Sequence, residues 1–142
     1  MKYFNLHTHI FTNQSDIVEL VNQYPWEFDS CIPNFSIGIH PWYINKERLE
    51  SDLKTIEDKL QLEECLALGE CGLDKRIEVP MTFQIDVFEK QIALAEKYQK
   101  PLILHLLNHF QCFWRISGGR RSDDDSYHSR CYCAKLVILA VL

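Results

Sequence analysis

The 142-residue sequence has no apolar run near the roughly 18 consecutive residues a membrane span needs. Its start, Met1-Lys2-Tyr3-Phe4-Asn5-Leu6-His7, turns polar too soon for the apolar core of a secretory signal. A cytoplasmic protein with no membrane partner is therefore expected. The six cysteines (Cys31, Cys65, Cys71, Cys112, Cys131 and Cys133) include no C-x-x-C pair, so they read as reduced thiols rather than a disulfide framework. Three lie in or beside apolar runs, where cysteine acts as a small hydrophobe. Positive charge is also scarce. The net charge is -5, so nothing marks the whole chain as a general binder of nucleic acid or membranes. A phosphorylated substrate would have to be drawn in by metal ions or local cations. No internal repeat occurs.

The sequence does contain short apolar runs alternating with helical patterns. Lys2–His9 reads as a strand. Ile17, Leu20, Val21 and Tyr24 follow at helical spacing, closed by Pro25. Phe35–Ile39 reads as a second strand, ending at His40-Pro41. Asn45 is placed to cap a helix with Leu49, Leu53, Ile56 and Leu60 on one face. Cys65–Gly69 reads as a buried strand. Pro80-Met81-Thr82 opens the longest helix, with Ile85, Phe88, Ile92 and Ala95 inward. Pro101 stops it before the strand Leu102–His105. Such alternation predicts βαβ units and a parallel sheet.

The chain changes character near residue 110. Residues 1–105 carry 10 Lys+Arg against 17 Asp+Glu, a balance of -7; residues 106–142 carry 5 against 3, a balance of +2. No glutamate follows Glu96. Two parts are expected: a folded part over 1–110 and a divergent, irregular tail over 111–142. Ser117–Ser126 has no apolar period and reads as loop. The closing run, residues 136–142, is apolar and short, with no assignable partner. A frameshift or aberrant join near residues 106–110 would produce this break.

Four of the strand candidates finish on a potential ligand. His7 and His9, two apart on a strand, share a face and can hold one metal; alone they are equally two solvent-facing histidines. Glu70 follows a buried apolar run, where a carboxylate is costly unless paired or metal-bound; its alternative is an exposed strand end. Gly69 and Gly72 let the backbone bend tightly around it. His105 is a further ligand or a buried histidine bonded to a carbonyl. His40 binds substrate or merely closes a turn. Strand ends converge at one mouth in a parallel barrel, and a His, His, carboxylate, His set suits a divalent cation, whether Mg, Mn or Zn. The grouping His128-x-x-Cys131-x-Cys133 matches no common zinc spacing, and Asp123–Asp125 read as solvated loop charge.

Asn5-Leu6-His7-Thr8-His9, Ile37-Gly38-Ile39-His40-Pro41-Trp42, Ala67–Asp74, Phe83–Lys100 and Pro101–His105 resemble, in order, motifs of the TatD family of metal-dependent deoxyribonucleases. The resemblance implies an α/β, partial TIM-like (β/α) barrel of parallel strands that lacks the C-terminal barrel strands. It implies one or two divalent ions, with His7 and His9 on the first, Glu70 bridging and His105 on the second. Asp74 would be a supporting carboxylate and His40 would lie near the substrate phosphate. The implied reaction is hydrolysis of phosphodiester bonds in DNA by metal-activated water. Asn5 and Leu107 stand where the family usually has Asp and Arg. No residue matches the family's late His or late Asp, so no catalytic base is assigned. The alternative is a non-catalytic remnant that binds metal or self-associates.

Overall fold

The computed structural model describes residues 3–107 and 136–137. Six strands form one all-parallel sheet in sequential order: β1 Tyr3–Thr8, β2 Ile17–Gln23, β3 Phe35–Ile37, β4 Cys65–Asp74, β5 Leu102–Leu107 and β6 Leu136–Val137. The sheet curls into a half-barrel. Two helices cover its outer face, α1 Leu49–Leu60 between β3 and β4 and α2 Met81–Lys97 between β4 and β5.

The sheet's two faces are packed differently. Phe35, Ile37, Leu68, Leu73, Leu102 and Leu104 meet Leu49, Ile56 and Leu60 of α1 and Val87, Phe88 and Ala95 of α2 in the main core. Leu20, Ala67 and Ile103, with Leu6 against them, form a separate cluster that takes nothing from either helix. Phe4, Leu66 and Pro101 extend this inner cluster into an apolar groove.

Several expectations change. Ile17–Gln23 is a strand, not a helix. A parallel strand packed on both faces loses the period of two, so Ile17, Leu20 and Val21 match a helical spacing by chance. Residues 9–16 and 24–34 cross over without a helix, so strict βα alternation begins only at β3. The α1 N-cap is Arg48 rather than Asn45; the Asn45 side chain accepts from the backbone N–H groups of Glu47 and Arg48, in a turn ahead of the helix. Glu70 and His105 lie within their strands rather than at the ends. Leu136–Val137, in the stretch expected to be irregular, pair with Leu102–Ile103. The expectations for Ser117–Ser126, Asp123–Asp125, the His128–Cys133 grouping and residues 138–142 fall outside the described residues.

A candidate metal centre

The inner face changes from apolar to polar along the strands. Two residues past Leu20 stands Asn22, and two past Ile103 stands His105, each on the same face as its predecessor. Strand register shifts between Asn5 and Thr8 in β1 and between Leu68 and Cys71 in β4. Such irregularities re-aim side chains, and they contain His7 and Glu70. Gly69 and Gly72 have φ of 141° and 143°, and a Cβ on either would run into the β5 backbone, at Ile103 O and His105 O respectively. Only glycine tolerates both conditions. The glycines expected to allow a tight bend therefore also let β4 lie close against β5.

Glu70 is the hub. Its Oε2 lies 3.3 Å from His7 Nε2 and 3.7 Å from His9 Nε2. Its Oε1 lies 3.1 Å from His105 Nδ1 and 3.8 Å from His40 Nε2. All the expected ligands, and His40, thus meet at one carboxylate. Burial opposes ionisation of Glu70, but hydrogen bonds from His105 and His7 outweigh it and hold the carboxyl well below the usual range. The Glu70 backbone N–H donates to Asn22 Oδ1, which also accepts from Ser36 Oγ at 3.5 Å.

Asp74 supports the hub from behind. Its Oδ2 meets His105 Nε2 at 3.2 Å and accepts from Trp42 Nε1 at 2.7 Å. Arg76 adds bonds from its backbone N–H, Nε and Nη2. Burial raises the Asp74 pKa, yet these donors leave it well below the usual range. His105, between two carboxylates, is raised overall even though burial opposes its charge.

His40 is different. Its Nδ1 accepts from the Trp42 backbone N–H at 3.2 Å. A neutral ring accepting at Nδ1 carries its proton on Nε2. Burial, followed by nearby His105, lowers its pKa to about 4, so the ring is neutral near pH 7. His40 therefore offers the site an N–H donor, which suits a substrate oxygen better than a metal.

The donor set fits a divalent cation. In each of two groups, His7–His9–Glu70 and His40–Glu70–His105, the potential ligand atoms lie within 4.8 Å of one another. Metal–ligand bonds of about 2.0–2.2 Å would span this after small inward movements. His7 Nδ1 is buried with no hydrogen-bond partner among the described residues, a costly state unless a further group engages that ring.

Sequence reasoning missed two residues that set this geometry. Gln84 Oε1 accepts from Asp74 N–H at 2.9 Å, while its Nε2 donates to Asp74 O at 3.1 Å and Val79 O at 2.8 Å. Gln91, two turns further along α2, does the same at Ile39: its Oε1 accepts from the N–H at 2.7 Å and its Nε2 donates to the carbonyl at 3.1 Å. Each amide takes the place of a strand partner, fixing the backbone at Asp74 and just before His40. The available signal was a pair of glutamines seven apart on an otherwise apolar helix face.

The pattern that describes TatD-related DNases matches residues 3–139. Among curated proteins, the chain is 24% identical to the human 3'-5' RNA nuclease TATDN2, over 85% of this chain and 19% of that protein. It is 33% identical to the uncharacterized metal-dependent hydrolase YabD of Bacillus subtilis, over 62% and 32%. It is 32% identical to the 3'-5' ssDNA/RNA exonuclease TatD of Edwardsiella piscicida, over 66% and 34%. The chain thus spans between a fifth and about a third of the length of these relatives. In fold it resembles YJJV, a TatD homologue from Escherichia coli, with a TM-score of 0.57 at 19% identity, covering 72% of this chain and 50% of that one.

Proposed function

Because the chain belongs to the family of TatD-related DNases, we propose that it binds one or two divalent cations (Mg, Mn or Zn) and hydrolyses phosphodiester bonds in nucleic acid. The observation that carries this reading is Glu70, a buried carboxylate ringed by four imidazoles. His7, His9, Glu70 and His105 would hold the metal, with Glu70 shared between two positions. A divalent cation there supplies Lewis acidity and lowers the pKa of water.

The chain's own groups do the rest. With a cation bound, His105 would keep its proton on Nε2, donating to Asp74, and Nδ1, which here bonds Glu70, would be left bare as a ligand. His40 presents Nε2–H to a phosphate oxygen. DNA is the substrate we favour. RNA is a second candidate, because relatives named as nucleases include one for RNA and one for both. No helix among the described residues is long and apolar enough to cross a membrane. The unpaired thiols of Cys31, Cys65 and Cys71 accord with a cytoplasmic setting.

One observation favours the second reading, a non-catalytic half-barrel that binds metal or self-associates. Asp74, the aspartate of the described cluster, is already committed to His105, Trp42 and Arg76, so it is not free to serve as base. Metal content and cleavage of single-stranded DNA and RNA with Mg²⁺, Mn²⁺ and Zn²⁺ separate the two. The nuclease reading expects metal-dependent cleavage that His9→Ala or Glu70→Gln lowers at least about 100-fold. Bound metal without cleavage by the unaltered chain would sink it and leave the second reading.

A further inference from the structure

Beside the metal ligands lies an aromatic surface that the proposed chemistry does not use. Pro41–Tyr43 form a 3-10 turn after β3, and Tyr24 and Trp26 follow β2, so all four rings sit just past the C-terminal ends of β2 and β3. Tyr24 and Trp26 are stacked, with centroids 5.0 Å apart and planes 14° apart. Tyr43 meets both edge-on, at 5.3 and 6.0 Å. Trp42 and Tyr43 nevertheless remain 51% and 43% exposed. The exposed rings are neighbours beside a polar site rather than scattered singly, the arrangement expected of an interaction surface.

The surface is held in place and joined to the hub. Trp42 is fixed through its Nε1–H to Asp74, and its ring lies 5.3 Å from His40 and 6.0 Å from His105. Tyr43 lies 5.6 Å from His40. The surface is also bordered by cations in a chain that is acidic overall. The Arg48 guanidinium sits 3.9 Å over Trp26, with its Nε paired to Asp52 and its Nη2 donating to the Tyr43 carbonyl, and that of Arg76 lies 5.9 Å from the Trp42 ring. Asp74 takes Nε and Nη2 of Arg76, and Nη1 has no partner among the described residues.

Exposed aromatic faces, flanking guanidinium groups and a neighbouring donor for phosphate oxygen together match one ligand chemistry. Single-stranded nucleic acid presents an unstacked base face and an anionic backbone within one nucleotide. A duplex hides its base faces, and a peptide lacks the repeating anion. We propose that Trp42 and Tyr43 form a stacking platform for a base of single-stranded nucleic acid, next to the phosphate held at His40. The proposal rests on the nuclease reading for its choice of ligand. Stacking is indifferent to the sugar, so the platform accepts DNA and RNA strands alike.

The test compares two eight-residue probes with the same phosphorothioate backbone, one of thymidines and one abasic. Binding to the full chain is followed by fluorescence anisotropy. The platform predicts that the thymidine probe binds about 5- to 100-fold more tightly. It predicts that Tyr43→Ala and Trp42→Leu each shrink this ratio toward one. Equal binding of the two probes by the unaltered chain, or a ratio that both variants leave intact, would overturn it. Should either variant fail to fold, an iodouracil-substituted strand photocrosslinked to the unaltered chain decides the matter: attachment at Trp42 or Tyr43 supports the platform, and attachment only elsewhere overturns it. Cleavage without base preference removes the platform and leaves the nuclease reading. Base preference without cleavage does the reverse.

Discussion

Glu70 and Asp74 lie four residues apart on one strand, and His105 stands between them. The two carboxylates divide the work on that ring: one faces the proposed metal position, the other fixes which nitrogen keeps the proton. Asp74→Asn should therefore lower divalent-metal affinity about 10- to 100-fold, measured by calorimetric titration, with the fold retained. A retained affinity would mean that Asp74 serves only Arg76 and Trp42. In metal-free protein the two buried histidines should titrate in opposite directions from 6.5. His40 should keep the NMR shifts of a neutral ring down to about pH 4, because burial disfavours its charge. His105 should hold its proton above 6.5, because its two carboxylates overcome the same burial. The positions of His7, His9, Glu70 and His105 were legible because each closes or interrupts an apolar run. Asn22 was not, since one neutral amide in a misread segment carries no charge or period to mark it.

At the scale of elements, β3, β4, β5 and both helices were readable from apolar spacing and from Pro80 and Pro101. β2 was not. Its buried polar residues, Glu19, Asn22 and Gln23, break the apolar run expected of an inner parallel strand. Each has a structural task. Glu19 accepts from the Thr12 N–H, the Thr12 hydroxyl and the Asn13 N–H, pinning the loop that follows His9. Gln23 exchanges bonds with the Asp29 backbone. The α2 amides extend this logic from helix to sheet. Gln84→Leu removes the partner of Asp74 N–H, Asp74 O and Val79 O together. It should destabilise the fold by about 3 kcal/mol in urea titration, because unpaired buried backbone groups cost about 1–3 kcal/mol each. A loss below about 1 kcal/mol would mean that water replaces the amide at little cost.

For the whole molecule, the half-barrel was foreseeable from strand order and family motifs, while the place of β6 beside β5 was not, because two residues of a seven-residue apolar run give no register. A cation that binds only the folded state ties the site to global stability. Metal at a hundred times its dissociation constant should add about 2.7 kcal/mol. A chelator should therefore lower the Tm, and scanning calorimetry with and without it checks this. Cys65 and Cys71 report the same event. Both are buried, and burial pushes the Cys65 thiol up to about 11 and the Cys71 thiol higher still. Alkylation mapped by mass spectrometry should find exposed Cys31 modified in the native protein. Cys65 and Cys71 should react only after unfolding, and sooner with the chelator present.

The paired glutamines of α2 have a consequence for how such a protein can change. They grip main-chain atoms at Ile39 and Asp74 and are indifferent to the side chains there. The rings at positions 24, 26, 42 and 43 belong to segments that those amides do not hold. If the exposed rings grip a base as proposed, exchange of Tyr24, Trp26 or Tyr43 lets ligand preference drift while the proposed metal ligands keep their places. The same separation offers a route to redesign: the surface can be rebuilt at Tyr24, Trp26 and Tyr43 as long as Gln84, Gln91 and Trp42, the partner of Asp74, are left alone.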